Sequence, residues 1–154
     1  MEMCKEIVLL VSPHCDDACF SLGASILKNS DKEIIIWDIF TVQSYTILTD
    51  DAEVAKRRII EEEKMFQEKT GTSIIMEGLL DAYLRGYKRL SSILLSNIEQ
   101  IKALNSDKTV YEDVLDGFER VYSEIKPNFI GLPLGCGAHI DHLIVREAGL
   151  CILK

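Results

Sequence analysis

The chain has 154 residues, 47% hydrophobic and 27% charged, proportions that suit one globular domain with a core of its own. Seventeen Lys and Arg against 25 Asp and Glu give a net charge of −8, which argues against a nucleic-acid or anionic-membrane surface, since both recruit clustered cations. No run approaches the roughly 18 apolar residues of a membrane span, Met1 to Lys5 lack a signal-peptide pattern, and five cysteines without framework spacing read as reduced thiols of a cytoplasmic protein.

Glu6 to Ser12 (EIVLLVS) is an almost unbroken apolar run with β-branched residues, the pattern of a parallel strand buried on both faces. Pro13 breaks it. Asp16-Asp17 open a helix that Asn29-Ser30-Asp31 close, with Phe20, Ala24 and Leu27 on one face. Glu33 to Phe40 is a second buried strand, and Thr41 to Thr49 reads as a loop. Asp50 or Asp51 caps a helix running through Lys69, with Gly71 at its C-terminal cap. Ser73 to Met76 is a third strand, and Leu79 to Arg89 is irregular. Ser91 to Leu104 has a helical stripe. Thr109-Val110-Tyr111-Glu112 has capping-box spacing, and Val110, Val114, Phe118, Val121 and Ile125 follow as an amphipathic stripe. Pro127 ends that helix, Asn128 to Leu132 is a fourth strand, and Asp141 to Leu153 is helical. Alternating strands and helices predict an α/β, Rossmann-like three-layer αβα fold with a mainly parallel sheet. No Gly-rich phosphate-binding motif follows the first strand, so nothing points to a nucleotide cofactor.

The chain's three histidines all follow predicted strands, and each lies within two residues of an aspartate: His14-Cys15-Asp16-Asp17 and His139-Ile140-Asp141-His142. Strand C-termini of a doubly wound sheet share one edge, where ligands bind, so the first and fourth strands can bring both segments into one crevice. Imidazole with carboxylate suits Zn²⁺ or Fe²⁺ better than Mg²⁺. Positions i and i+3 at a strand-to-helix turn select His14 with Asp17, and His142 can supply the third ligand. Three ligands leave a position open for water, with Asp16 beside it as a candidate general base. Either motif alone more often caps or solvates a helix. Their joint use of every histidine is what favours a metal. Cys15, lying between His14 and Asp16, is expected to point away from that site.

Ser12-Pro13-His14-Cys15-Asp16-Asp17 together with Pro133-Leu134-Gly135-Cys136-Gly137-Ala138-His139-Ile140-Asp141-His142 resembles the PIG-L or LmbE-like deacetylases. Leu80-Asp81-Ala82 and Leu84-Arg85-Gly86-Tyr87 are similar to a loop of one bacterial branch. The resemblance implies a zinc-dependent hydrolase that removes the acetyl group from an N-acetylated amino-sugar conjugate. His14, Asp17 and His142 look like the zinc ligands and Asp16 like the general base. His139 looks like the group that stabilises the oxyanion and protonates the leaving amine, with Asp141 as its orienting partner. Asp81 resembles a residue contacting sugar hydroxyls, and Arg58 or Arg57 a substrate-binding arginine. Arg85, Tyr83 and Tyr87 could line a sugar site by stacking, surface packing being the other reading. Cys15 and Ile140 stand where relatives usually carry proline. The alternatives are an amidase acting on another acylated amine, such as a thiol-sugar conjugate, and an inactive metal-binding module. Relatives continue with further strands past the position where this sequence stops, so residues 1–154 read as a single deacetylase domain lacking its C-terminal elements. Its terminal helix is then expected to show an exposed apolar patch, and a homo-oligomer stays open. Cys4, Cys19 and Cys151 read as small core residues, Trp37 as core, and Glu61-Glu62-Glu63 as a solvated helix face.

Overall fold

Strand β1 (Ile7–Ser12) shows why the chain forms three layers. In a computed structural model that describes residues 5–43, 51–87 and 105–153, its side chains alternate between two separate cores. Leu9 and Val11 enter one cluster, while Val8 and Leu10 pack against the other. A strand that is apolar at every position from Ile7 to Val11 is what two-sided burial demands. Strand β2 (Glu33–Asp38) repeats the alternation, with Trp37 on the first side and Ile34 and Ile36 on the second.

Helices α1 (Asp17–Lys28) and α2 (Ala52–Thr70) cover the face carrying Ile34 and Ile36. They contribute Ala18, Ile26 and Phe66 to it. Asp51 caps α2 by accepting from the backbone N–H groups of Glu53 and Val54, and Gly71 ends it in the left-handed conformation (φ 72°), the division of labour expected of an acidic N-cap and a glycine after the last turn. Helices α3 (Asn105–Ile125) and α4 (Ile140–Ile152) cover the other face with Val114, Phe118, Val121, Ile144, Val145 and Ala148. Strands β3 (Ser73–Met76) and β4 (Phe129–Gly131) complete a parallel sheet of order β3-β2-β1-β4. The chain winds outward from β1 through β2 to β3, then returns to place β4 on β1's other side. The winding direction therefore reverses at β1, and the crevice beyond the C-terminal ends of β1 and β4 is the switch point where such sheets bind ligands.

Several local expectations differ from the observed structure. On α1, Ala18 and Ile26 face the sheet, leaving Phe20, Ala24 and Leu27 exposed. Both sets have helical spacing, so periodicity alone could not choose between them. Helix α3 is already formed at Asn105, so the capping-box pattern lies inside the helix. The 91–104 stripe and Cys4 fall outside the described residues. Cys19 and Cys151 are exposed rather than core. Helix α4 buries most of its apolar stripe, and Gly149 lets it approach closely: a Cβ there would sit 2.6 Å from Leu132 Cδ2. Leu150 and Leu153 remain partly exposed. Further apolar surface lies beside α1, where Leu22, Ile26, Val8, Leu10 and Phe129 line a groove of about 300 Å³. No helix among the described residues is long and apolar enough to cross a membrane.

Candidate active site

Immediately after β1 the chain turns back on itself through reciprocal bonds. The His14 N–H donates to Asp17 Oδ2 at 3.0 Å, the Asp17 N–H donates to the His14 carbonyl at 3.2 Å, and the Ser12 hydroxyl donates to that same carbonyl at 2.6 Å. This turn directs the His14 and Asp17 side chains to one point, with His14 Nδ1 3.2 Å from Asp17 Oδ2. From the start of α4, His142 Nε2 reaches the same carboxylate oxygen at 3.2 Å. The rings of His14 and His142 lie 5.3 Å apart. Ligand atoms of His14, Asp17 and His142 all lie within 4.8 Å of one another. Two imidazole nitrogens and a carboxylate oxygen converging in this way are a donor set for Zn²⁺ or Fe²⁺.

His14 is held from behind as well. Its Nε2 lies 2.9 Å from Asp141 Oδ2, which also accepts from the Ala82 backbone N–H at 3.0 Å. Arg85 Nη2 pairs with the other Asp141 oxygen at 2.8 Å. Asp141 is wholly buried, so these contacts stand in for its lost hydration. The carboxylate–imidazole contact leaves Nδ1 for the site, the arrangement that fixes ring orientation in metal-binding histidines. Burial pulls the His14 pKa down, but hydrogen bonds and charge from Asp141 and Asp17 outweigh it and hold the imidazolium up to about 10. Burial opposes ionisation of Asp17, yet His14 and His142 keep its pKa well below the usual carboxylate range. Asp141 is lowered likewise, with His14 and Arg85 overcoming its burial.

Asp141 was expected to orient His139, and its carboxylate turns instead to His14. The bond to His139 is made by backbone, the Asp141 N–H donating to His139 Nδ1 at 3.2 Å. Helix geometry explains this: His139 is the N-cap of α4, and its ring nitrogen satisfies one of the free N–H groups of the first turn. With Nδ1 accepting, the neutral His139 ring carries its proton on Nε2. Burial lowers the His139 pKa to about 4, so the ring is neutral at pH 7. It lies 5.1 Å from the His14 ring and 5.3 Å from that of His142, centre to centre.

Asp16 occupies the N-cap position of α1, but its side chain makes no capping hydrogen bond, and the residue is exposed. The carboxylate is thus left for other chemistry. Asp81 accepts from the Leu84 N–H at 2.8 Å, shaping the turn that carries Ala82 and Arg85. Burial raises its pKa. Arg58 lies half-buried and Arg57 exposed on α2.

Arg85 and Tyr87, expected beside a sugar, are engaged elsewhere. The Arg85 side chain is only 6% exposed, pairs with Asp141 and Asp107, and lies over the Phe40 ring at 5.0 Å. The Tyr87 hydroxyl donates to Asp107. A long cation flanked by two buried carboxylates is a counter-ion first. Tyr83 is exposed at the same turn. Three acids were not read from the sequence as buried charges: Asp107, Asp38 and Glu63. Asp38 had a signal, a lone carboxylate within the apolar run EIIIWDIF. Glu63 was hidden in a triplet of glutamates that looked solvated.

Fold and site together define a parallel α/β protein with a His–Asp–His cluster at its topological switch point. Residues 9–153 match the PIG-L family, described as GlcNAc-PI de-N-acetylase, and the chain belongs to that family. Among solved structures it is similar to the A40926 pseudoaglycone deacetylase Dbv21 (TM-score 0.70, 20% identity, covering 94% of this chain and 57% of that one). It is similar also to a teicoplanin-pathway deacetylase (0.70, 20%, covering 94% and 64%) and to the N,N'-diacetylchitobiose deacetylase of Pyrococcus horikoshii (0.64, 17%, covering 94% and 48%). The chain therefore spans about half to two-thirds of the length of these proteins. No curated protein sequence matches it.

Proposed function

We propose that this chain carries the catalytic centre of a metal-dependent N-deacetylase acting on an N-acetylglucosamine-type conjugate, with zinc as the metal and Fe²⁺ as the alternative. The observation that carries the reading is the convergence of His14, Asp17 and His142 at one point, with His14 held from behind by Asp141. Membership of a family described by de-N-acetylation of a glucosaminyl lipid supports the reaction class. One similar structure is described as the zinc-inhibited form of a teicoplanin deacetylase, which supports zinc recognition within this fold. A hydratase, GalB, has a similar fold (TM-score 0.61), so the argument rests on the site and the family rather than on the scaffold.

When bound by His14, Asp17 and His142, the metal supplies Lewis-acid polarisation of the amide carbonyl and a more acidic water. Asp16, free of capping duty, takes a proton from the attacking water. His139 donates its Nε2–H to the carbonyl oxygen as that oxygen becomes negative. Because the His139 ring stays neutral, Asp16 is the better placed to return a proton to the departing nitrogen. Water and the amide thus become acetate and the free amine. Asp141 acts through His14 as a positioning residue. Asp81 and Arg58 are the candidates for sugar contacts. Tyr87 and Arg85 support the site from behind. A cytoplasmic small-molecule substrate fits this reading.

The test is acetate release from N-acetylglucosamine conjugates by the metal-loaded protein. Asp16→Asn should keep the metal and lose at least about 10²-fold in kcat, whereas His14→Ala or Asp17→Ala should lose the metal itself. Turnover retained in Asp16→Asn would overturn the base assignment. Cleavage of larger amides without acetate release would turn the reading toward an amidase.

A further inference from the structure

We propose that Cys15, Asp38 and Glu63 form a second cation site, selective for thiophilic divalent ions of the zinc class and separate from the His14–Asp17–His142 group. Cys15 turns away from the histidines, as its place between His14 and Asp16 requires. Its sulfur meets a carboxylate from the end of β2 and another from the middle of α2. One ligand atom from each of the three residues lies within 4.8 Å of the other two. Zinc bonds of about 2.0–2.3 Å place tetrahedral ligands roughly 3.3–3.8 Å apart, so closure on an ion needs only small side-chain movements.

The independent sign of a ligand is Asp38. It is wholly buried, no backbone N–H or cation among the described residues pairs with its carboxylate, and the one hydroxyl beside it, Ser12, already donates its proton to the His14 carbonyl. Buried carboxylates are ordinarily paired or hydrogen-bonded, and Asp141 in this same chain is both. Glu63 is buried beside Asp38, and no cation among the described residues offsets either acid. Burial, followed by the charge of Glu63, pushes Asp38 up to about 8, while burial and the charges of Asp16 and Glu62 push Glu63 up to about 7. This is an acidic pocket with nothing among the described residues to neutralise it. A thiol among the donors favours zinc-like ions over Mg²⁺ or Ca²⁺, which take oxygen alone. The ion would displace the thiol proton to solvent and join three elements: the loop bearing His14, Asp16 and Asp17, the end of β2, and α2. Its role is to brace the loop that presents the catalytic groups.

Cobalt titration of the full chain tests this directly. Wild-type protein should bind two Co²⁺ in equilibrium dialysis and develop a sulfur-to-cobalt charge-transfer band in the near ultraviolet. Cys15→Ser should lose the band and one equivalent of metal, while His142→Ala should keep the band, so the two sites fail independently. Glu63→Gln should weaken the band-forming site at least tenfold, and it remains informative if Cys15→Ser does not fold. Absence of the band in wild type, a band surviving Cys15→Ser, or unchanged affinity in Glu63→Gln would each overturn the proposal.

Discussion

Asp141 and Asp38 are both wholly buried near the switch point, yet their surroundings are opposite. Asp141 has the Ala82 N–H, the His14 imidazole and the Arg85 guanidinium around it, and its pKa is held low. Asp38 has only the Ser12 hydroxyl beside it, feels Glu63 as its strongest charge, and its pKa rises to about 8. Burial is common to both, so partners decide which carboxylate is ionised. The first is a finished counter-ion network whose product is a fixed His14. The second is a donor set whose missing component is positive charge.

Removing the cation from the finished network gives the largest effect. Arg85→Ala leaves Asp141 and Asp107 buried without their guanidinium, and breaking a buried pair from one side costs about 3–5 kcal/mol. Urea denaturation should show a loss of that size with an unchanged slope. A loss under about 1 kcal/mol would mean that Ala82 and His14 suffice for Asp141, and the contrast with Asp38 would narrow.

The opposite manipulation at Asp38 should stabilise. The chelator-treated protein is expected to lose stability as pH rises from about 4 to about 8. Over that interval Asp38, raised to about 8, and Glu63, raised to about 7, hold protons that the unfolded chain releases, while His139, lowered to about 4 by burial, offsets one of the two below about pH 6.5. His14, raised to about 10 by Asp141 and Asp17 against its burial, adds a fall of the same sign above about pH 6.5. The groups facing Asp38 are Glu63, Asp16, Asp17, the Cys15 thiol and the Ser12 hydroxyl. Asp38→Asn should therefore flatten the lower part of the thermal-melting profile and gain at least about 1.4 kcal/mol at pH 8, the equivalent of one unit of pKa shift, because the amide carries no charge to bury. An unchanged profile would show that Asp38 is neutralised by other means.

Asp141→Asn sharpens the comparison at the metal itself. The amide keeps the shape but loses the charge behind His14, and partners of this kind contribute about 10–100-fold in metal affinity. Competition with a chelating dye should read that loss, and full affinity in the variant would demote Asp141 to a packing residue.

Much of this was legible in the sequence because it is written in local chemistry. The two-sided strands, the Asp51 and Gly71 caps of α2, and the sharing of one edge by His14 and His142 follow from residue type and spacing. What the sequence hid is long-range pairing. Nothing in Leu84-Arg85-Gly86-Tyr87 says that Arg85 reaches Asp107 and Asp141 rather than a sugar, because the contacts span 22 and 56 positions and arise only when α3 and α4 pack. Glu63 is indistinguishable in sequence from Glu61 and Glu62, and only the closeness of α2 to the β1 loop buries it. The carboxylate of Asp141 turns to His14 because His139 already uses the Asp141 backbone N–H, a competition that spacing cannot display.

The smallest expected effect lies at the outer end of the finished network. The Tyr87 hydroxyl donates to Asp107, which also faces Arg85 Nε at 3.4 Å. Tyr87→Phe removes one donor and leaves the ion pair, so Asp107 stays compensated where Asp38 is not. The cost should be about 1 kcal/mol, the range of a single net hydrogen bond, with metal affinity unchanged because Asp141 keeps all three of its partners. Combining Tyr87→Phe with Arg85→Ala then tests whether the network is shared. The two residues meet on one carboxylate, so their losses should not add, and a coupling of about 0.5 kcal/mol or more is expected in a double-mutant cycle. Strict additivity would mean that Asp107 is served by the two donors independently, and that the chain from Tyr87 through Asp107 and Arg85 to Asp141 is a series of separate contacts.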